Sequence, residues 1–546
     1  MTTFTEGNTI EVENAAVSSR SLLASEAGVA VLRNGGNAVD AAVTTAFALA
    51  VTYPSAGNLG GGGFAVIRLP GGEVFANDHR ERAPLNATRD MFLDERGEYV
   101  AERALRSHLS SGVPGSVAGL LAIHERFGVL PREAVIAPAI EFAREGFELP
   151  ADIARQFESR HEWFQYIDST RKAFYKSDGS FYRAGELFKQ PDLAATLSRI
   201  SEHGRDGFYT GQTAELIVAE MSRGAGLISK SDLEEYQPVW REPIHGRYRG
   251  YDVHSMPPPS SGGVLVVQLL NMLEPFELSE LGFHTAPSMH LMIEAERRSY
   301  ADRAVHLGDP DFYPVPLETL LSKRYARSRI EDIGATATTS DGVAAGSVPK
   351  EPFETTHFSV IDTDGMAVAF TTTINGGYGS GIVVEGAGFL LNNEMDDFSA
   401  KPGTPNMFGL IGGEANAIEP GKRMLSSMSP TIVSKGGEFI LITGSPGGST
   451  IITTTLQVIL NVIDHGFELE EAVNAPRFHH QWQPNSVRFE AGIKQSVIDE
   501  LEAMGHVNLN QMSERFGIGD ANSILKHRDS ITATSDGRNE GGAAGF

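Results

Sequence analysis

The 546-residue sequence contains no cysteine. This absence excludes disulfides, thiolate metal sites and a cysteine nucleophile, although it assigns no cellular compartment. Basic residues are scarce relative to acids, with 45 Lys and Arg against 70 Asp and Glu, and the formal net charge is −25. Nucleic-acid binding needs a clustered basic face, so this balance argues against it. The acidic residues are dispersed along the chain, and we assign them to solubility.

Long apolar runs are absent as well. The longest run, 41–51, is too short to cross a bilayer and predicts a buried helix. The first 14 residues are acidic and polar and do not resemble a secretory signal. The sequence therefore predicts no membrane partner, and a cytoplasmic protein by default, or a periplasmic or extracellular one if a leader has been removed.

A recognisable metal or cofactor site is also missing from the sequence. The 16 histidines are scattered, and the neighbours His479 and His480 lack the spacing of helical metal ligands. We interpret these two as surface or packing residues. No metal and no cofactor is predicted.

Hydrophobic periodicity indicates a mixed protein of helices and sheets. Strands are predicted near Phe64 and again from Thr355 onward, and helical periodicity dominates the intervening segment 116–329. The predicted helices include 118–127, 132–145, 193–203, 262–273, 287–307 and 450–464. No internal repeat and no flexible linker is visible, so we expect one interwoven unit with central sheets covered by helices.

Two adjacent threonines inside the chain, Thr355 and Thr356, are its most informative feature. They open an alternating strand, and a second strand ends near Thr373. A three-residue turn closed by a bulge at Gly365 sets Thr355 opposite Thr373, where the Cβ atoms of cross-strand neighbours lie roughly 5 Å apart. Such a pair commonly just adds a hydrogen bond within a sheet. Alternatively, a hydroxyl at this junction can cut its own chain and expose the free amine that activates a threonine nucleophile.

Two glycine-rich loops are relevant to whether Thr355 has a structural or a catalytic role. Gly60–Gly63 follows a helix that is capped by Asn37, and it precedes a strand. That order is the reverse of a dinucleotide fingerprint, so we interpret the four glycines as close backbone packing. Gly444–Thr450 joins a strand to a helix but lacks the lysine of a phosphate loop. Its amides at Gly447 and Gly448 could form an oxyanion hole, or the segment is an ordinary turn.

Three polar groups complete the candidate site, and each has a plain structural alternative. Glu394 and Asp397 could grip an ammonium group, although such residues also favour capped surface turns. Ser426 and Ser427 could bind a carboxylate, or they belong to ordinary turn chemistry. Arg80 is a candidate carboxylate clamp, although most arginines are solvated or paired at the surface.

These stretches, taken in order with others, resemble the γ-glutamyltranspeptidase family almost from end to end. The other matching segments are Gly35–Ala42, Ala87–Phe92, Met256–Gly263, Tyr300–Arg303, Gly308–Phe312 and Leu391–Ser399. Each segment is weak alone, but their number and order make the resemblance specific. It implies an N-terminal-nucleophile hydrolase of the α/β (α+β) class, with a four-layer αββα core and a mainly helical middle segment.

The resemblance also implies a precursor that cleaves itself before the first threonine of the pair. The scissile bond is then Glu354–Thr355, and the products are a large segment, 1–354, and a small one, 355–546, which stay together as a heterodimer. Thr355 attacks the Glu354 carbonyl, passes through an ester and emerges with a free α-amine that serves as its own base. Thr373 is implied to hydrogen-bond this nucleophile.

For the substrate, the resemblance implies a glutathione-like γ-glutamyl donor, with water, an amino acid or a peptide as the acceptor. The expected ligands are Arg80, Ser426 and Ser427 for the α-carboxylate, Asn375, Glu394 and Asp397 for the α-amine, and Gly447 and Gly448 for the oxyanion. The α-carboxylate and the α-amine form the zwitterionic head of a γ-glutamyl group. Such a head explains why one arginine and two carboxylates share a site.

Two departures from the family pattern leave alternatives open. Secreted bacterial members usually carry a leader, and none is seen here. Segment Lys401–Pro420 matches the lid loop but has Phe408 where some members have a tyrosine, so the balance of hydrolysis and transfer stays open. The alternatives are an N-terminal-threonine amidohydrolase or acylase on another amide, such as a β-lactam side chain or oxamate, and an unprocessed, inactive homologue that acts as a binding protein.

Overall fold

The computed structural model describes residues 5–343, 355–513 and 517–546. Within them, two large antiparallel sheets stack face to face, and helices cover the outer face of each sheet. The expected four-layer αββα arrangement is therefore confirmed. Glu354, with the preceding loop 344–353, lies outside the described residues.

The first sheet contains eight described strands and the second contains seven. In spatial order, the first sheet consists of Thr5–Gly7, Gly542–Gly545, Ala16–Ser19, Thr356–Ile361, Ala367–Thr373, Gly62–Arg68, Val74–His79 and Val239–Arg241. The second sheet consists of Thr9–Val12, Ile531–Thr534, Ser523–Lys526, Glu438–Thr443, Thr431–Lys435, Tyr251–Ser255 and Ile244–Tyr248. Smaller sheets are formed by Phe478–His479, Val487–Phe489 and Leu509–Gln511, and by Phe147–Glu148 and Leu187–Phe188.

The helices form the two outer layers and the surface. Their bounds are Leu22–Arg33, Ala38–Thr52, Ala101–Leu105, Ser116–Phe127, Arg132–Glu145, Ala151–Ser159, His161–Phe164, Asp168–Phe174, Pro191–His203, Asp206–Tyr209, Gly211–Arg223, Lys230–Glu235, Gly262–Leu273, Leu278–Leu281, Ala286–His306, Leu317–Leu320, Lys323–Ile330, Thr450–Ile463, Leu469–Asn474 and Gln495–Ala503. The six helices predicted from periodicity all form, and their ends lie within two residues of the predicted ends. In the described part of the chain, no helix combines the length and the apolar character that a membrane span requires.

Alternation along the strands explains the layers. In the strand Gly62–Arg68, Val66 packs between the sheets, whereas Ala65 and Ile67 face the helices on the outer side. Successive strand residues point to opposite faces, so one strand contributes to two cores. The helix Ala38–Thr52, which contains the longest apolar run, is buried at every position, as expected for a helix under this sheet.

The glycine-rich segment 537–546 and the helical middle segment contain strands that the sequence pattern does not show. Segment 537–546 contributes the buried strand Gly542–Gly545 to the first sheet. A side chain at Gly542 would collide with Leu22, which explains the small residues. The middle segment is interrupted by short strands, and Val239–Arg241 and Tyr251–Ser255 each join a central sheet. Strands of three to five residues are too short to give a clear period.

The four glycines of Gly60–Gly63 are explained by close packing, as predicted. A Cβ atom would lie 2.1 Å from the Leu390 carbonyl oxygen at Gly60 and 2.1 Å from the Thr373 carbonyl oxygen at Gly61. Real Cβ atoms essentially never approach so closely, so only glycine fits at these positions. The glycine loop thus allows the strands that carry the candidate nucleophile to pack against their neighbours.

Candidate active site

The hairpin that carries the threonine pair has the predicted register. Gly365 adopts a φ of +84°, and the Asp362 N–H donates to the Met366 carbonyl oxygen at 3.1 Å, so three residues form the loop. Thr356 pairs with Thr372, and Thr355 lies one position outside the strand. Extending the ladder by that position places Thr355 opposite Thr373.

The hydroxyl oxygens of Thr355 and Thr373 are 3.4 Å apart. Thr355 is only 5% exposed, and among the described residues Thr373 is the sole hydrogen-bond partner of its hydroxyl. The Asn375 N–H donates to Thr373 Oγ1 at 2.8 Å, which leaves the Thr373 hydroxyl hydrogen free to point at Thr355. Thr373 can therefore donate to Thr355 Oγ1, although either hydroxyl of the pair can be the donor.

Asn375 turns the chain out of the strand that ends at Thr373. Its φ is +71°, in the left-handed region that asparagine tolerates better than most residues. Its side-chain amide donates to the Asn393 carbonyl oxygen at 2.9 Å. The buried Asn375 Oδ1 has no hydrogen-bond partner among the described residues, so an acceptor is available beside the threonine pair.

Arg80 enters the same space from the strand Val74–His79 and is fully buried. Its guanidinium contacts Glu394 through Nη1 and lies 2.5 Å from Asp397 Oδ2 through Nη2. Its Nε donates to the Met424 carbonyl oxygen at 3.2 Å. The one arginine and the two carboxylates predicted for a zwitterionic head therefore pair with each other, rather than lying apart.

These charges shift the protonation equilibria of the cluster. Burial by itself lowers the pKa of Arg80, but the carboxylates of Glu394 and Asp397 outweigh burial and raise it. Burial raises the pKa of Glu394 and of Asp397 above their usual range, with Arg80 opposing that shift. Burial also raises the pKa of Glu81, 3.7 Å from Arg80, to about 7. The cluster thus holds one firm positive charge and three acids that burial makes harder to ionise.

Ser426 and Ser427 lie on a loop that is held by backbone contacts. The Ser426 N–H donates to the Pro259 carbonyl oxygen at 2.8 Å. Both the N–H and the hydroxyl of Ser261 donate to the Ser426 carbonyl oxygen, at 2.8 and 2.7 Å. Arg303 donates to Ser427 Oγ at 3.3 Å. The two hydroxyls are thereby fixed at one wall of the site.

The glycine turn that ends at Ser449 lies between the strand Glu438–Thr443 and the helix Thr450–Ile463. Gly447 and Gly448 adopt φ values of +131° and +54°. A Cβ at Gly447 would lie 2.3 Å from Thr450 Oγ1. The amides of Gly447 and Gly448 donate to no acceptor within the described residues, and such amides at a helix start suit a developing negative charge.

These elements converge on one small pocket, whose volume of about 10 Å³ is close to that of a single water site. It is lined by Arg80, Thr355, Thr373, Asn375, Glu394, Asp397, Phe408, Ser426, Ser427, Met428, Gly448 and Ile451. The sequence-predicted residues are thus brought together, apart from Gly447, which adjoins the lining, and Glu354, which is outside the described residues. In the described ranges, no three His, Asp or Glu side chains are grouped as metal ligands.

Sequence reasoning missed four residues at or behind this site. Met428 and Ile451 are apolar wall residues, and nothing in their pattern distinguishes them from core residues. Glu81 and Arg303 are charged and buried, although long charged side chains are usually solvated. The available signals were the position of Arg303 in the matching segment Tyr300–Arg303 and the position of Glu81 next to Arg80.

The segment 401–420 covers the pocket through Phe408, which is 7% exposed. The Met407 N–H donates to Asp396 at 2.9 Å, and Asn406 donates to Asp397 Oδ1 at 2.8 Å. Gln481 donates to the Phe408 carbonyl oxygen at 3.1 Å. This segment is therefore fixed by main-chain and amide contacts on both sides of Phe408.

Known proteins resemble this chain over nearly its whole length. Residues 24–546 match the family model described as Gamma-glutamyltranspeptidase. The glutathione hydrolase proenzyme of Escherichia coli (strain K12) is 48% identical over 518 residues, covering 94% of this chain and 89% of that protein. The crystal structure of cephalosporin acylase from Bacillus halodurans has a TM-score of 0.87 and 28% identity, covering 99% of this chain and 97% of that one. That of Helicobacter pylori gamma-glutamyltranspeptidase has a TM-score of 0.57 and 46% identity, covering 57% of this chain and 89% of that one.

Proposed function

Since this chain belongs to the γ-glutamyltranspeptidase family, we propose that it cleaves the γ-glutamyl amide of glutathione-like donors through an ester on Thr355. The observation that carries the proposal is the convergence of a hydroxyl pair, one buried arginine and two carboxylates on one pocket. A γ-glutamyl group has a zwitterionic head and a reactive carbonyl, and this set of side chains matches both ends. The acceptor of the acyl group is water, an amino acid or a peptide.

In the proposed reaction, Thr355 Oγ1 attacks the γ-carbonyl carbon and its proton passes to the free α-amine of Thr355. Thr373, 3.4 Å away, donates a hydrogen bond that orients the attacking oxygen. The amides of Gly447 and Gly448 stabilise the oxyanion of the tetrahedral intermediate. The donor amine then leaves with a proton, and the acceptor attacks the ester and restores the Thr355 hydroxyl.

The head of the substrate is proposed to insert into the ion-paired cluster. Its carboxylate binds Arg80, Ser426 and Ser427, and its ammonium binds Asn375 Oδ1, Glu394 and Asp397. In the structure Arg80 pairs directly with the two acids, so these contacts must open for the head to enter. Insertion exchanges one set of ion pairs for another, so no charge is left buried and unpaired.

The same hydroxyl is proposed to generate the enzyme from its precursor. Attack of Thr355 on the Glu354 carbonyl forms an ester with release of the Thr355 nitrogen, and water hydrolyses that ester. The products are segments 1–354 and 355–546, both part of one heterodimer. Within the described residues, both central sheets combine strands from the two segments, which supports a heterodimer that persists after cleavage.

The donor assay separates this proposal from an acylase, the candidate favoured by the TM-score of 0.87 to cephalosporin acylase. We expect the processed protein to release the aniline rapidly from γ-glutamyl anilide, because, of the substrates compared, only this one has an α-amine for Asn375, Glu394 and Asp397 to bind. Glutaryl anilide, a glutaryl β-lactam and an oxamate amide serve as the comparison. No release from the γ-glutamyl donor, combined with brisk turnover of another amide, would reverse the assignment.

Substitution Thr373→Ala is expected to slow self-cleavage and turnover by about tenfold to a hundredfold, the scale of one hydrogen bond to a charged or reacting group. It removes the donor to Thr355 and the acceptor of the Asn375 N–H. Intact mass under denaturing conditions, followed over time, measures the cleavage rate.

The control for this experiment is Thr44→Ala, which removes a buried hydroxyl that donates to the Val135 carbonyl oxygen and does not line the pocket. It should lose a similar amount of stability while cleavage proceeds at the wild-type rate. Unchanged cleavage in Thr373→Ala would show that the hydroxyl contact has no role in processing.

A further inference from the structure

Two sequence segments that match the family but carry no assigned role meet behind the serine wall of the pocket. Met256–Gly263 contributes Ser261, and the helix Ala286–His306 contributes Arg303. Arg303 Nε donates to Ser261 Oγ at 2.9 Å, and its Nη2 donates to Ser427 Oγ at 3.3 Å. One guanidinium therefore connects both segments to a residue that lines the pocket.

The contact with Arg303 determines how the Ser427 hydroxyl can be used. An arginine is only a donor, so Ser427 Oγ must accept from Arg303. The hydroxyl hydrogen of Ser427 is then free to donate to another group. Because Ser427 lines the pocket, that hydrogen is available to an anion bound there. Ser261 in turn holds the backbone of the serine loop through the Ser426 carbonyl oxygen.

Arg303 is also a buried cation that lacks a salt bridge. It is 5% exposed, and no carboxylate oxygen of the described residues lies within 4.0 Å of it. Burial lowers the pKa of Arg303 to about 10, with Asp397 opposing that shift, so the group stays charged at neutral pH. A buried charge without a partner is costly. An anion that bound at Ser427 would compensate it.

The charges in the pocket show why a second cation matters. The positive charge of Arg80 is already opposed by two carboxylates, Glu394 and Asp397. When these two acids are ionised, they and Arg80 together carry a net charge of −1, and ionisation of Glu81, 3.7 Å from Arg80, makes the charge more negative. This negative charge repels a substrate carboxylate. Arg303 lies on the serine side of the site, where it offsets one of the negative charges and makes this side the more positive end of the pocket.

We propose that Arg303 is a positioning residue for the α-carboxylate of the donor, acting through Ser427 by orienting its hydroxyl and by supplying the positive charge behind it. The inference rests on the proposed function and adds a specificity determinant to it. The ammonium end of the substrate is then recognised by Asn375 and the two acids, and the carboxylate end by Arg80 and the two serines, with Arg303 behind Ser427. If its role were only structural, Arg303 would do no more than link the helix Ala286–His306 to the serine loop through hydrogen bonds.

The test measures how the processed enzyme cleaves three anilide donors. These are the γ-glutamyl anilide, the glutaryl anilide, which lacks the α-amine, and the 4-aminobutanoyl anilide, which lacks the α-carboxylate. For Arg303→Gln we expect kcat/KM to fall by about tenfold to a hundredfold for the two donors that carry a carboxylate, mainly through KM. For the 4-aminobutanoyl donor the change should stay within about twofold. Arg303→Lys, which keeps the charge, should restore most of the loss.

The matched control is Arg298→Gln, which removes a buried arginine of the same helix that pairs with Glu294 and Asp332. It should change thermal stability without changing the preference among the three donors. Calorimetric binding of L-glutamate and of 4-aminobutanoate gives a readout independent of turnover, and Arg303→Gln should weaken only the first.

Two results would overturn the inference and are distinguishable from each other. If Arg303→Gln lowers kcat/KM equally for all three anilides, or weakens the binding of L-glutamate and 4-aminobutanoate equally, Arg303 has only a structural role and the proposed function still stands. If the wild-type enzyme releases no aniline from the γ-glutamyl donor, the proposed function is refuted, and the role of Arg303 with it.

Discussion

Replacing Thr355 by alanine is expected to leave one uncut polypeptide that does not turn over a γ-glutamyl anilide. The hydroxyl of Thr355 is the proposed nucleophile in both reactions, and alanine supplies no atom that can form the ester. Loss of a catalytic nucleophile costs on the order of 10⁴-fold or more in rate, so activity should fall below detection. Intact mass under denaturing conditions measures self-cleavage, and aniline release measures turnover, both on the same sample.

Two variants make this result specific. Thr355→Ser keeps a hydroxyl at the same position and should still cleave and turn over. Thr356→Ala alters the neighbouring threonine, whose buried Oγ1 has no hydrogen-bond partner among the described residues, and should still cleave before Thr355. Appearance of segments 1–354 and 355–546 from Thr355→Ala would contradict the assignment of the nucleophile.

Replacing Arg80 by glutamine should produce the second largest effect. The guanidinium is fully buried and pairs with Glu394 and Asp397. Removing one partner of a buried, hydrogen-bonded charge pair costs about 2–5 kcal/mol, so we expect kcat/KM for the γ-glutamyl anilide to fall on the order of 10²–10³-fold. Without the cation, burial favours the protonated form of both acids, so the ammonium ligands are lost along with the carboxylate ligand.

Thermal unfolding and calorimetric binding of L-glutamate separate lost recognition from lost folding in this variant. Arg249→Gln is the control, because it breaks a salt bridge of 2.6 Å to the largely buried Asp464 outside the pocket. It should lower stability while KM stays near the wild-type value. Arg80→Lys retains a charge that cannot bridge both acids and should be intermediate. An Arg80→Gln enzyme that is folded and binds L-glutamate as tightly as wild type would refute the head-group assignment.

Local chemistry predicted the parts of the site that depend on neighbours in the sequence. The turn at Gly365 sets the hairpin register, and the register places Thr355 against Thr373. The glycines of Gly60–Gly63 were correctly attributed to packing because a helix precedes them and a strand follows. Such inferences need only backbone conformation and the period of a strand.

The other parts of the site and of the fold depend on contacts between residues that are distant in the sequence. Arg80 and Glu394 are separated by 314 positions, and nothing local to either residue indicates that they pair. The link between Arg303 and Ser427 spans 124 positions. The same limit explains the tail, because Gly542–Gly545 becomes a strand only through pairing with Ala16–Ser19 near the other end of the chain. Tertiary pairing there overrides a weak local preference.

The strand Thr356–Ile361 lies between Ala16–Ser19 and the strand Ala367–Thr373 in the first sheet. A cut before Thr355 therefore creates a new chain end inside a sheet, next to a strand that pairs along Thr356–Ile361 with one neighbour and along Ser359–Ile361 with the other. Since the strand Gly542–Gly545 of the small segment also lies between two strands of the large one, separation of the segments would require unfolding the sheet. We therefore expect no exchange of segments between folded, processed molecules. A mixture of two differently labelled enzymes would contain only the two original species, because each small segment stays bound to the large segment of its own precursor.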